Sequence, residues 1–384
     1  MLVPLKPILD ATDKYCYAQG AFNVNAVAQA EAVIKVHENF RSPAILQGAD
    51  LANGFMGGRK DFMNSTLEDK KIGAKNIAEA VKKYGTDSPI PVALHLDHGH
   101  DFDSVKAAIA GGYTSVMIDG SSLPLKENIE LTREVVKYAH RFGVTVEGEL
   151  GVLAGVEDHV FAANSTYTNP LDALKFFRET KVDALAISYG TMHGANKGKN
   201  AVIRKEIPIA IKECMRHEGI EGVLVSHGSS TVPRYIVDEI NNLGGDIQNA
   251  YGIDVNQLIE VSHLGIGKIN VDTDIRLAVT RNIREYFNGC ACHRENKDIK
   301  PIWDIMCANP KAFDPRAYLT PIMDTMMYGT IPNEGVADIV KCIKAGVMEV
   351  VGTLIVQFGS YGKASKIEIK TLDQMAEEYK KRGI

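Results

Sequence analysis

The chain has 384 residues, 45% hydrophobic and 24% charged, the ordinary composition of a soluble globular protein and ample for a large buried core. Its net charge of −5 and pI near 6.1 give no basic footprint, so neither nucleic acid nor an anionic membrane is expected as a partner. No stretch reaches the roughly 18 uninterrupted apolar residues of a membrane span, and the N-terminal MLVPLKPILDATDKY lacks the apolar run of a signal peptide.

Eight short runs rich in Val, Ile, Leu and Ala follow one another: AFNV (21–24), PAILQ (43–47), PVALHLD (91–97), TSVMID (114–119), VTVEGEL (144–150), DALAIS (183–188), GVLVSH (222–227) and IGKINV (266–271). Each is nearly continuously apolar, the signature of strands buried on both faces of a parallel sheet. Helix-length segments separate them, among them AVAQAEAVIKVHENF, DSVKAAIAGG, NIELTREVVKYAHRFG and NPLDALKFFRETK. Glycines after Ala110 and Phe142 supply left-handed helix ends, and Asn169-Pro170 reads as a cap and first turn. A helix is expected to begin near Ile275 after the eighth run.

Eight β-then-α units in a row predict a closed (β/α)8 TIM barrel over 1–288. The open doubly wound alternative lacks a GxGxxG or P-loop after its first strand. From 289 to 384 the rhythm turns helical, and this part is expected to be a C-terminal helical extension of the same domain. The six cysteines, Cys16, Cys214, Cys290, Cys292, Cys307 and Cys342, are sparse for the length and fit reduced thiols in a cytoplasm. The segment CACH (290–293) has no second ligand pair beside it and reads as a loop with free thiols rather than a zinc site.

In such a barrel the strand ends converge at the C-terminal mouth, so polar residues there carry the chemistry. The third strand ends in Asp97-His98, the fourth in Asp119, the fifth in Glu147 and Glu149. His193 follows the sixth strand, His227 ends the seventh, and Asn270 to Asp272-Thr273 end the eighth. Three histidines from three strand–loop junctions suit a catalytic zinc, which takes three protein ligands and keeps a fourth position open. His98, His193 and His227 are therefore the expected ligands. His95 is expected one layer deeper, and His100 farther into the loop. Asp97 and His98 are neighbours, so both reach the mouth only if the chain bends, and Gly99 is the expected bend. Asp97 would then move a proton beside the metal, or else orient a histidine. HGSS (227–230) and the turn at 270–273 suggest a phosphate cradle after strands seven and eight. Lys268 is weighed as a Schiff-base nucleophile, but a buried or ion-pairing role suits its place two residues below the mouth.

With GAFNVNAVAQAEA, SPAILQ, HLDHG, GYTSVMIDGS, VEGELG, DALAISYGTMHG, VSHGSSTVP, IGKINVDTDIRLA and FDPRAYL in this order, the chain resembles class II, zinc-dependent fructose-bisphosphate aldolases. It is similar to their long branch acting on fructose and sedoheptulose bisphosphates. The resemblance implies a lyase that reversibly cleaves a ketose bisphosphate, fructose 1,6-bisphosphate first, to dihydroxyacetone phosphate and glyceraldehyde 3-phosphate through a zinc-stabilised enediolate. It places Zn2+ on His98, His193 and His227, with Glu149 at an alternative metal position. It makes Asp97 the proton carrier at the aldehyde oxygen and Glu157, in the GVEDH loop, the acid that moves the proton next to the ketone. It carries substrate and phosphate contacts to Asn23, Gly194, Gly228, Ser230, Asn270, Asp272, Thr273 and Arg316, the last often reaching across a subunit boundary. It also implies a homodimer or homotetramer and a monovalent cation, Na+ or K+. Two departures, Gly48-Ala49 where a Ser is usual and Asn196 where a Tyr is usual, leave tagatose or sedoheptulose bisphosphate, or a ketose 1-phosphate, as alternative substrates. A metal-dependent hydrolase and a catalytically inactive barrel are the remaining readings.

Overall fold

A computed structural model describes residues 1–157, 160–162, 165–199 and 201–383, with the backbone alone at 156–157 and 160–162. Eight parallel strands form the barrel: β1 (Gln19–Asn23), β2 (Ala44–Ala49), β3 (Val92–Gly99), β4 (Ser115–Ile118), β5 (Thr145–Leu150), β8 (Ala184–Ile187), β9 (Val223–Ser226) and β10 (Ile266–Val271). The ring runs β1-β10-β9-β8-β5-β4-β3-β2 and closes on itself. Every predicted apolar run is a barrel strand. The polar loop after β5 contains a short antiparallel hairpin that the sequence did not suggest, β6 (Gly155–Glu157) with β7 (Val160–Ala162).

Alternation inside the ring sorts the side chains into layers. Ala21, Ile45 and Ala93 are paired neighbours, and with Ala184, Ala186, Val223 and Val225 they form an apolar floor. Val3, Leu5, Ile8 and Leu9, in and before helix Lys6–Tyr15, plug it from below. Two residues up each strand the lining turns polar: Asn23, Gln47, His95 and Glu147 are all buried. Most polar atoms of this layer find partners inside it, while Gln47 Oε1 and His95 Nε2 are buried without a hydrogen-bond partner.

Helix ends follow the expected chemistry with two shifts. Asn169 caps helix Pro170–Thr180 through its side chain, and Gly143 is left-handed at φ 69°. After helix Phe102–Gly111 it is Gly112, not Gly111, that turns left-handed, at φ 111°. The helix after β10 starts at Thr273, two residues earlier than expected, and runs to Gly289.

The C-terminal helices pack back onto the barrel. Helix Glu334–Gln357 lies against helices Thr273–Gly289 and Val27–Phe40, and its apolar residues join the same core as theirs. The last helix, Leu372–Lys381, docks at the floor, where the Tyr379 ring stacks on His140 and its hydroxyl donates to Asp183. The expectation of free thiols in CACH does not hold, because Cys290 and Cys292 are joined as a disulfide. His293 stacks on Tyr286 instead of meeting a metal. Among the described residues no helix is long and apolar enough to cross a membrane.

One buried group makes stability depend on pH. His37 packs its ring against Phe22 and donates Nδ1–H to the Val33 carbonyl at 2.7 Å, while Nε2 has no hydrogen-bond partner. Burial pushes its pKa down from 6.5 to about 4. The unfolded chain therefore takes up this proton first, so the native state weakens as pH falls from about 6.5 to about 4 and loses nothing more below. Between pH 8 and pH 4.5 the His37→Leu protein should lose about 2–3 kcal/mol less stability than the parent in urea unfolding.

Candidate active site

The bend that brings Asp97 and His98 to the mouth together lies in His98 itself. β3 runs through both residues to Gly99, with its register against β4 shifting between Leu96 and Gly99. His98 takes φ 49°, a left-handed conformation uncommon for a residue with a Cβ. Gly99 serves a different purpose from the one expected, since a Cβ there would stand 2.4 Å from the Met117 carbonyl oxygen. Strain in the backbone at such a position persists only where packing over-determines it, and it recurs at active sites.

Asp97 is 1% exposed and fixed from both sides. Its Oδ1 accepts from the Asn270 amide and its Oδ2 from the Asn23 amide, each at 3.0 Å, while Gln47 donates to the Asn23 oxygen at 2.7 Å. Among the described residues neither carboxylate oxygen is taken by a histidine ring.

The two best-placed imidazoles have their tautomers set by carboxylates. His98 Nδ1 donates to Asp119 Oδ2 at 3.1 Å, and His227 Nε2 donates to Glu147 Oε1 at 2.7 Å. Each ring is then left with a bare lone pair on its other nitrogen, and these two, His98 Nε2 and His227 Nδ1, face one another at 3.0 Å. With both rings neutral these are two acceptors in repulsion, so the approach needs positive charge between them, either a proton on His98 whose Nε2–H donates to His227 Nδ1 or a metal cation in its place. Two ligands at about 2.0–2.1 Å on a tetrahedral zinc stand about 3.3 Å apart, close to this separation. Ligand atoms of Asp97, His98 and His227 lie within 4.8 Å of one another, and those of His98, Asp119 and Glu149 form a second such group. Glu149 Oε2 is buried without a hydrogen-bond partner, 3.8 Å from His227 Nδ1 and 3.9 Å from His98 Nδ1. His193, the third expected ligand, is in neither group but is buried beside them, with its ring centroid 5.2 Å from that of His98. The donor set therefore fits a divalent cation.

Charge points the same way. Burial raises the Glu149 pKa well above the usual carboxylate range, and the Asp119 charge adds to this. Burial alone would lower His98, but its hydrogen bond to Asp119 and the charges of Asp97 and Glu149 raise it well above its ordinary value. Both shifts report negative potential that a cation would relieve.

Beneath the histidines, Lys268 is fully buried and pairs with Glu147 Oε2 at 2.9 Å while donating to Asn270 Oδ1 at 2.7 Å. It is thus an ion-pairing residue that links the supports of His227 and Asp97. Burial would raise the Glu147 pKa, but Lys268 and the His227 hydrogen bond hold it well below the usual range. His95 sits in this deeper layer as expected, against Ser115 Oγ at 2.8 Å. Replacing Lys268 by Met leaves the Glu147 charge buried without its cation, held only by the His227 hydrogen bond, with an expected loss of about 3–5 kcal/mol. Adding Glu147→Gln should recover part of it in chemical denaturation.

Beside the histidines is a narrow cleft lined by Asn23, Gly194, Lys197, Gly228, Ser229, Ser230, Asn270, Asp272 and Thr273. It gathers all the expected phosphate contacts except Arg316. Gly194 and Gly228 are left-handed at φ 82° and 60°, and a Cβ on Gly228 would meet the Met192 carbonyl oxygen at 2.5 Å. Ser230 Oγ accepts from the Thr273 N–H at 3.2 Å, tying the loop to the helix N-terminus. The cleft opens into a cavity of 620 Å³ whose wall includes Phe62, His193, Asn196, Thr273, Arg276 and Arg316. Arg316 of this same chain thus reaches its own mouth, paired with Asp314 at 2.8 Å and lying over the Phe62 ring. Of the departing pair Gly48-Ala49, which ends β2, Gly48 faces outward against Tyr113, whereas Ala49 is paired with Asp97 and buried. Glu157 is described by its backbone alone, and its side chain lies outside the described residues. Gly155 packs its backbone against His193 so closely that a Cβ would stand 2.3 Å from the His193 carbonyl oxygen.

Asp119, Glu147 and Lys268 were visible as polar strand residues, but their partners were not. Gln47, Lys197 and Arg276 were missed. Lys197 and Arg276 follow the HG and NVDTD blocks at short range, and that proximity was the available signal.

The family model for class II fructose-bisphosphate aldolase matches residues 3–331. The chain belongs to this family. It is 36% identical to the fructose-bisphosphate aldolase of Giardia intestinalis, over 99% of each chain. To that of Thermus caldophilus it is also 36% identical, over 85% of this chain and 94% of the relative. Among solved structures, a fructose-bisphosphate aldolase from Campylobacter jejuni superposes with a TM-score of 0.66 at 19% identity, over 94% of this chain and 96% of that one, which speaks for the fold. Class II aldolases are metal-dependent lyases, and the paired bare nitrogens of His98 and His227 suit that chemistry.

Proposed function

We propose that this family member cleaves fructose 1,6-bisphosphate reversibly to dihydroxyacetone phosphate and glyceraldehyde 3-phosphate, with zinc as the resident metal. The carrying observation is the convergence of Asp97, His98 and His227 within 4.8 Å beside the cleft of Gly228, Ser230 and Thr273. His98, His193 and His227 would hold the ion, with Glu149 as an alternative ligand. When bound, it supplies Lewis-acid polarisation of the donor ketone and offsets negative charge developing on the donor's oxygens.

The chain's own groups do the remaining work. Gly194, Gly228, Ser230, Asp272 and Thr273, with Asn23 and Asn270, seat the donor half and its phosphate. Asp97, held by two amides, protonates the new alkoxide oxygen in condensation and takes that proton back in cleavage. Glu157 carries the proton at the carbon beside the ketone, on a loop that packs against His193. Arg316 receives the second phosphate. A cytoplasmic homodimer or homotetramer, aided by Na+ or K+, completes the reading.

Ala49 places a methyl group beside Asp97, where a hydroxyl would otherwise meet the sugar, so the ketose is tested broadly. Fructose, tagatose and sedoheptulose bisphosphates and a ketose 1-phosphate are offered with and without chelator, and triose phosphate release is coupled to a dehydrogenase. Chelator-sensitive release, fastest from fructose 1,6-bisphosphate, is the expected result. Release from no ketose would leave only a binding or hydrolytic role.

A further inference from the structure

The loop that forms the anion cleft is held from behind by a residue that does not line it. Asp274, the second residue of helix Thr273–Gly289, is fully buried. Its Oδ2 accepts from both the N–H and the hydroxyl of Thr231, each at 2.8 Å, and its Oδ1 accepts from the Val232 N–H at 2.7 Å. Those two residues directly follow Ser229 and Ser230 of the cleft.

The loop needs such a hold. Val232 sits at φ 47°, a conformation that β-branched residues avoid. On its other side the chain is pinned by Ile253, whose N–H donates to the Ser230 carbonyl at 3.2 Å, and by Gly252, where a Cβ would stand 2.1 Å from the Thr231 carbonyl. Without the carboxylate, the buried Val232 N–H and the partly buried N–H and hydroxyl of Thr231 would lose their acceptor, and Val232 would be drawn back toward negative φ. Gly228 and Ser230, a few residues upstream, would then lose their places on the cleft wall.

We propose that Asp274 is a positioning residue for the substrate's phosphate: it clamps Thr231 and Val232 so that the Gly228–Ser230 cradle is formed before the ligand arrives. This rests on the reading of the cleft as the phosphate site of an aldolase, and it adds a residue that touches neither phosphate, metal nor reacting carbon. Pre-formed sites of this kind depend on the packing and hydrogen bonds behind them.

The test uses the full-length zinc-loaded enzyme with Asp274→Asn and Thr231→Ala, and inorganic phosphate as the calorimetric probe. Asp274→Asn turns one acceptor into a donor facing an N–H, and should weaken phosphate binding about ten-fold. The KM for the ketose bisphosphate should rise in step, with kcat within about three-fold of the parent, a split that general loss of structure would not give. Thr231→Ala removes one bond of three and should shift both in the same direction by about two- to three-fold. Unchanged phosphate affinity in a folded Asp274→Asn enzyme, or a fall in kcat at constant KM, would overturn the clamp. If that variant fails to fold, unchanged affinity in Thr231→Ala overturns it equally. A parent enzyme that binds phosphate but cleaves no ketose would sink the aldolase reading while leaving the clamp intact, whereas a parent that binds no phosphate would sink the clamp.

Discussion

Asp97→Ala is expected to lower kcat by about 10²- to 10⁴-fold, the span over which a positioned acid or base contributes, with zinc content unchanged. The expectation follows from how the carboxylate is held. Asn23 and Asn270 each give it one amide hydrogen at 3.0 Å, and no imidazole among the described residues is bonded to it. Removing it therefore leaves the carboxylates that set the His98 and His227 tautomers, Asp119 and Glu147, in place. KM should rise far less than kcat falls, because the Gly228, Ser230 and Thr273 wall of the cleft is untouched and only Asn23 and Asn270 lose an acceptor. Metal analysis alongside steady-state kinetics separates the roles. Loss of zinc together with activity would make Asp97 a support for the histidines and not the proton carrier.

Stripping the metal is the second large effect. Chelation should abolish turnover, and added zinc should restore it in the parent but not in His227→Ala. The reason lies in the 3.0 Å approach of His98 Nε2 and His227 Nδ1. With the ion gone, a single proton shared at this contact replaces two positive charges beside the buried carboxylates, so the stripped protein should also melt at a lower temperature. An ion present at about 1,000 times its Kd contributes about 4 kcal/mol to stability. Glu149→Gln removes a possible ligand but no tautomer partner, and should cost far less activity than His227→Ala. Full turnover in exhaustively chelated enzyme would contradict the assignment.

The barrel was readable in the sequence because strands buried on both faces write themselves as unbroken apolar runs, and IGKINV (266–271) matches β10 to the residue. The hairpin Gly155–Glu157 with Val160–Ala162 was not, because three-residue strands in a polar loop leave no period to detect. Likewise, polar residues at strand ends identified the mouth, but their pairing depends on register and rotamer. Nothing local says that Glu147 serves His227 rather than His95, or that Lys268 neutralises it from the next layer. The left-handed turn at His98 was also hidden, since Gly99 beside it offered the simpler account and instead answers the approach of Met117. Arg276 and Asp274 looked like ordinary helix residues, and only the fold shows what each one faces.

Helix Glu334–Gln357 has a bearing on how the protein is made. The ring closes where β1 meets β10, pairing Gln19 with Lys268 across most of the chain, and this helix lies over that junction against the first and last barrel helices. During synthesis β1 therefore waits with an open edge until β10 has left the ribosome, and the junction stays uncovered for some 60 residues more. Chaperone dependence, or aggregation of chains stalled in that interval, is the cost of a seam that is sealed last.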